Sequence, residues 1–193
     1  MMKENLLHFL QSTGLVCHQT ALEVAHHFID RKISRNEFFL QEGKVSDEYL
    51  FLEEGCLRAF AYDTNGSEVT TGFYTDKQVV FEVSSFFNKL PSKENIKALT
   101  DCEGWSIAFA ELNHLFHAIP EFREFGRSIL VKGFASLKDR MLTMITESAE
   151  ERYVHLLRTR PELFQHAQLK YIASYLGVTD SSLSRIRKEY SKK

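Results

Sequence analysis

Apolar residues along this chain change their spacing twice. A short amphipathic opening (Leu6, Leu7, Phe9 and Leu10) and a helical stretch over residues 21–30 come first. Apolar residues then fall in short runs broken by turn formers. This is the pattern of strands, and it predicts them at 37–41, 49–53, 57–62, 68–74, 78–81, 96–99 and 105–109. Glu42-Gly43, Glu54-Gly55 and Asp63-Thr64-Asn65-Gly66 separate most of them. Asn65-Gly66 is the strongest hairpin signal, because both residues tolerate positive φ. Many short strands with regular turns imply a small barrel or roll that closes its own edges.

From residue 121 to 145 the spacing becomes that of one long helix, opened by Pro120, where a missing N–H costs little. Its first half carries Phe122, Phe125 and Ile129, suited to packing on the roll. Its second half places Leu130, Phe134, Leu137, Met141 and Met144 at steps of 4, 3, 4 and 3. A mean step of about 3.5 keeps one seam facing a partner helix. The same pattern fits an amphipathic helix buried on its own domain; the dimer seam is the favoured reading. Beyond residue 147 the pattern stays helical, with one helix over 150–160 ended by Pro161.

Residues 169–188 have the layout of a helix-turn-helix. Ala173 supplies the small residue where two steeply crossed helices meet, and Gly177 can take the left-handed conformation that ends the first. Thr179 is placed to cap the second helix. Ile172, Leu176, Val178, Leu183 and Ile186 fall at inward positions. The second helix then presents Asp180, Ser181, Ser184, Arg185 and Lys188 outward. Such a helix suits the major groove, where Arg185 reads a base edge with Ser181 and Asp180 contributing. Asp180 complicates this, since an acid there repels phosphate unless it accepts from a cytosine amino group. Thr179, Lys170, Arg187, Lys188 and the terminal Lys192 and Lys193 are placed as phosphate contacts, which position without reading sequence. A purely structural helical hairpin is the plainer alternative, and the alternative function is a small-molecule sensor that acts through protein contacts with a vestigial helix-turn-helix.

Composition changes the picture in one respect. Of 193 residues, 44% are hydrophobic and 26% charged, ordinary for a globular protein. Charge, however, is segregated: residues 168–193 hold six basic and two acidic side chains, while the rest hold 18 and 24. A polyanion contact at one end, or a solvated tail, accounts for this. Cys17, Cys56 and Cys102 form no C-x-x-C pair, so neither a disulfide framework nor a metal clamp is indicated, and free thiols fit a reducing compartment. The opening residues lack a signal peptide's apolar block, and no apolar run is long enough to span a bilayer. A cytoplasmic protein with no membrane partner is expected.

Catalysis has little foothold. His114 and His117 lie one helical turn apart without a third ligand, and His26-His27 point in different directions. Cys102 and Trp105 read as core. No His-x-His motif supports a metal-dependent cupin, and no nucleophile elbow or phosphate loop occurs. The expectation is a protein that is not an enzyme, with no metal and no catalytic residue.

Strands, a long helix and a C-terminal helix-turn-helix together resemble the Crp/Fnr family of bacterial transcription regulators. The carriers are Glu37-Phe-Phe-Leu-Gln-Glu-Gly43, Leu50-Phe-Leu-Glu-Glu-Gly55, the 63–66 hairpin and Ile172-Ala173, Leu176-Gly-Val-Thr179 and Leu183-Ser-Arg-Ile186. The resemblance implies an α+β fold: a cyclic-nucleotide-binding-like β-roll (jelly roll) over 1–118, a dimerisation helix over 119–146, and a winged-helix or helix-turn-helix domain over 147–193. It implies a homodimer on a near-palindromic double-stranded DNA operator, with RNA polymerase as a candidate protein partner.

The same resemblance implies a ligand pocket, and there the pattern departs from the family. Nucleotide-binding members carry a Gly-Glu-Leu turn and, about ten residues on, an Arg for the phosphate. Here the turn reads Phe81-Glu82-Val83, and the Arg position falls on Ser92, with Lys93 beside it. Lys93 offers a point charge but no guanidinium fork. The polar pair expected near the purine aligns with Leu137-Lys138. Cyclic AMP is therefore not the expected effector and no cofactor is expected; another small ligand, or none, stays open.

Overall fold

The structure, a computed structural model, describes residues 3–192. Helices Glu4–Gln11 (α1) and His18–His26 (α2) lead into strands Ile29–Ile33 (β1), Phe38–Leu40 (β2), Glu48–Glu54 (β3), Leu57–Tyr62 (β4), Glu68–Tyr74 (β5) and Gln78–Val80 (β6). After helix Val83–Asn88 (α3) come Asn95–Ala98 (β7) and Cys102–Ala108 (β8). The remainder is helical: Phe109–Ala118 (α4), Pro120–Thr146 (α5), Ala149–Thr159 (α6), Leu163–His166 (α7), Leu169–Tyr175 (α8) and Asp180–Tyr190 (α9).

The strands form two antiparallel four-stranded sheets, ordered β1-β8-β3-β6 and β2-β7-β4-β5. Alternation sends Leu50, Leu52, Leu57, Ala59, Ile96 and Ala98 into the space between them, where they pack as one apolar core. An aromatic cluster closes one end, with Phe28, Phe51, Phe86, Trp105, Phe122 and Phe125 all buried. Phe122 and Phe125 are the residues expected to pin the first half of α5 to the roll, and each contributes about 1.5–3 kcal/mol by burial. Gly126 lets α4 and α5 approach: a Cβ there would lie 2.6 Å from the Phe116 ring.

Several expectations need correction. The helix predicted over 21–30 ends at His26, and the next residues form β1, whose Ile29 and Asp30 pair with Ser106 and Trp105 of β8. The long β8 offers a ladder that local helical spacing does not reveal. Phe109, read as strand, opens α4, while α3 was not foreseen. Asn65-Gly66 is not a two-residue primed turn, because only Gly66 has positive φ. Instead the Asp63 carboxylate accepts from the Asn65 and Ser67 amides and closes a longer loop. Of the winged-helix or helix-turn-helix alternatives, the structure has the second: among the described residues no strand follows Ala108, and α7 lies between α6 and α8. Lys193 lies outside the described residues.

No helix among the described residues is long and apolar enough to cross a membrane. Cys102 and Trp105 are buried, as is Cys56, while Cys17 is exposed.

Candidate nucleic-acid interface

A reciprocal cap starts the C-terminal part. The Ser148 hydroxyl accepts from the Glu151 amide, and the Glu151 carboxylate accepts from the Ser148 amide, which also holds that carboxyl below its ordinary pKa. Pro161 follows α6 and terminates it. Beyond α7, α8 ends at Tyr175 with Leu176 as its C-cap, and Gly177, at φ +70°, reverses the chain. A Cβ at Gly177 would come within 2.6 Å of the Met144 methyl of α5, the free end of a flexible side chain that can move aside, so it is the positive φ that calls for glycine. Thr179 caps α9, its hydroxyl accepting from the Ser182 amide at 3.2 Å.

Burial divides the two helices into faces. Ile172, Ala173, Leu176 and Leu183 are buried in one cluster with Tyr153, Leu156 and Leu163, and Val178 and Ile186 pack against it. The opposite face of α9 carries Ser181, Ser184, Arg185 and Lys188, whose spacing makes a single exposed stripe. Asp180 and Arg187 flank it, and Lys170 is exposed on α8. Arg185, Arg187 and Lys188 take part in no ion pair among the described residues. Their charged groups face solvent.

Two arginines the sequence reading passed over hold α8 from the side of α5. Arg140 donates to the Tyr175 carbonyl at 3.3 Å and lies 4.2 Å from the centre of its ring. Arg152 of α6 donates to the Leu176 carbonyl at 3.2 and 3.0 Å. Between α5 and α6 is an open cleft of about 560 Å³ that reaches Tyr175. On this side α8 is tethered by side chains rather than packed.

The residues assigned to a ligand pocket are placed as follows. Phe81 packs its ring against Tyr49, Phe86 and Phe87 at 5.1, 5.2 and 6.0 Å. Glu82 spends its carboxylate capping α3, accepting from the Ser84 and Ser85 amides at 3.1 and 2.5 Å, and Val83 is exposed. Ser92 is buried and turned onto its own loop, donating to the Glu94 carbonyl and accepting from the Glu94 amide. Lys93 is exposed. Leu137 and Lys138 both project to solvent, so the structure does not bring that pair into the corner; the α5 charge that reaches it is that of Arg140. Glu94 is the group missed. Burial raises its pKa, the nearby Thr71 hydroxyl opposes this, the Glu82 charge adds to the rise and Arg140 offsets it. An acid, offset by Arg140, therefore lies in the corner to which the sequence reading assigned a phosphate.

Residues 30–118 match the family model of the cyclic nucleotide-binding domain. Among solved structures the chain is similar to FixK2 from Bradyrhizobium japonicum, at 15% identity, covering 86% of this chain and 85% of that one, with a TM-score of 0.73. It is also similar to a protein from Eubacterium rectale assigned to the Crp/Fnr transcriptional regulators (14% identity, 94% and 86% covered, TM-score 0.69). A third is the cyclic di-GMP-responsive global regulator CLP of Xanthomonas campestris (17%, 89% and 90% covered, 0.68). The fold is that of the Crp/Fnr regulators. No curated protein matches the sequence. Within the Crp/Fnr frame, the sequence reading missed Arg58, Glu94, Arg140 and Arg152. Only an arginine in the apolar alternation of β4 could have signalled one of them, since a cation there must find partners.

Proposed function

We propose that this chain is a sequence-specific DNA-binding transcriptional regulator that acts as a homodimer and is not controlled by cyclic AMP. Residues 1–118 form the sensor-like roll, 119–146 the dimerising helix and 147–193 the DNA-reading unit. The observation that carries the reading is the exposed stripe Ser181, Ser184, Arg185 and Lys188 on a helix whose other face is buried, with Arg185 and Lys188 in no ion pair among the described residues. Arg185 reads a base edge with Ser181 and Asp180, and Lys170, Thr179, Arg187 and Lys188 hold phosphates. The dimer is supported by α5, whose five seam residues are all exposed, Phe134 at 70% and Leu137 at 62%. Against cyclic AMP stand the filled turn at Phe81, the committed Glu82 carboxylate and the acid at Glu94. That the Xanthomonas relative responds to cyclic di-GMP is in keeping with a fold that takes other effectors.

Selection of bound fragments from genomic DNA, with and without cyclic nucleotides, followed by salt-titrated gel shifts, tests this. A motif with two-fold symmetry that survives competitor DNA, and is unchanged by cyclic AMP, is expected. Binding with no sequence preference would reject the regulator reading.

A further inference from the structure

A buried cation with an unpartnered donor lies outside both sites described above. Arg58 on β4 is only 3% exposed, and its guanidinium has one carboxylate partner, Glu68, at 2.5 Å. Its Nε donates to the Thr70 hydroxyl at 2.9 Å, while Nη2 is buried with no partner. A buried cation with an unsatisfied donor is weak evidence for stability and needs another reason. The reason is the ring above it. Tyr171 of α8 covers the guanidinium at 3.8 Å, with Phe60 at 4.4 Å, so the plane is held between the roll and the first helix of the helix-turn-helix.

Contacts on either side extend this into a seam. β5 is the edge of its sheet, and edge strands need covering. Here α8 covers it: the Thr70 amide donates to the Ser174 hydroxyl at 2.9 Å, and Phe73 meets the Tyr175 ring at 5.3 Å. At the far end Arg160 donates to the Phe73 carbonyl and the Thr75 hydroxyl, all at 3.3 Å. Tyr171, Ser174 and Tyr175 share one face of α8, and Ile172, Ala173 and Leu176 hold α9 on another. The orientation of α8 against β5 therefore carries the orientation of α9.

We infer that Arg58 is a positioning residue for DNA reading: by clamping Tyr171 it fixes the angle of α9 on the roll, and so the separation of the two reading helices in a dimer. This rests on the DNA-binding reading above. A two-fold site demands reading helices about 34–36 Å apart. A released unit still fits one half-site but no longer arrives pre-set for two, and the ordering cost falls on the second contact.

Tyr171→Ala and Arg58→Met remove the clamp from either side. Tyr171→Phe keeps the ring and is the conservative rescue. Two measurements on full-length protein decide. Hydrogen exchange at the Thr70 amide reads docking without DNA: at least tenfold acceleration is expected in Tyr171→Ala and Arg58→Met, with wild-type protection in Tyr171→Phe. Binding to the DNA selected by wild type reads the consequence. Affinity for an isolated half-site is expected to be unchanged, affinity for the paired site to fall at least tenfold, and tolerance of one inserted base pair to rise. Unchanged Thr70 protection, or equal losses on half and paired sites, would overturn the inference. Should Tyr171→Ala not fold, Arg58→Met decides alone, since a methionine leaves no buried charge. Wild type that selects no DNA would sink the regulator reading, while Thr70 exchange still judges the clamp.

Discussion

Arg185 and Asp180 lie within five residues on the exposed face of α9 and act in opposite senses toward a duplex. The guanidinium can take both acceptors of a guanine, whereas the carboxylate is repelled by every phosphate and tolerated only opposite an amino group. Arg185→Ala is therefore expected to cost about 1–3 kcal/mol on the selected operator and little on random DNA, measured by paired gel shifts. Equal losses on both would demote Arg185 to a phosphate contact. Glu94 gives a different test, of the ligand corner. Its pKa is raised mainly by burial, so the native state resists its ionisation, and its contribution is intact in acid and lost as pH rises through the folded-state pKa. Glu94→Gln is then expected to stabilise the protein at pH 7 and to have no effect well below the ordinary carboxylate range. Urea unfolding at the two pH values checks this; a variant less stable at pH 7 would mean that the carboxylate is held by a cation.

At the scale of elements, α5 has two different halves. Phe122 and Phe125 are buried, while Phe134, three turns on, is 70% exposed. An apolar stripe left in water is a strong expectation of a partner, and Phe134→Glu places two like charges at the centre of the seam. The variant should sediment as a monomer where wild type is a dimer, without loss of helical signal. A wild-type monomer would leave the stripe unexplained and remove the basis for a two-fold operator. What the sequence disclosed follows the range of the forces involved. The bounds of β4 and β5, the reversal at Gly177 and the cap at Thr179 are local matters of alternation, φ and a hydroxyl, and all were readable. Ile29 and Asp30 of β1 were read as helix because their partners in β8 lie more than seventy residues away. The Arg58–Tyr171 contact spans a still longer separation and follows no periodicity. The same holds for Arg140 and Arg152, whose duty to the last carbonyls of α8 appears only once the helices are assembled.

The whole molecule separates its charge: an acidic body of 167 residues and a C-terminal segment with net charge +4. An anionic effector would have to bind within the acidic part, in a corner that has Glu82 and Glu94 beside the Arg140 charge, with Lys93 exposed. On the proposed function, duplex DNA would be drawn instead to the basic C-terminal segment. The two consequences can be measured together, because ligand binding and stability are linked. A ligand present at 100 times its dissociation constant raises unfolding free energy by about 2.7 kcal/mol. For a chain of this size that is a Tm shift of roughly 5–10 °C. Cyclic AMP at millimolar concentration is expected to leave Tm unchanged, whereas operator DNA at low salt should raise it. A shift of several degrees with cyclic AMP would mean that an anion is accommodated despite Phe81 and Glu94, and that the corner rearranges on binding. A shift with neither ligand would locate the protein's partner in some other chemistry.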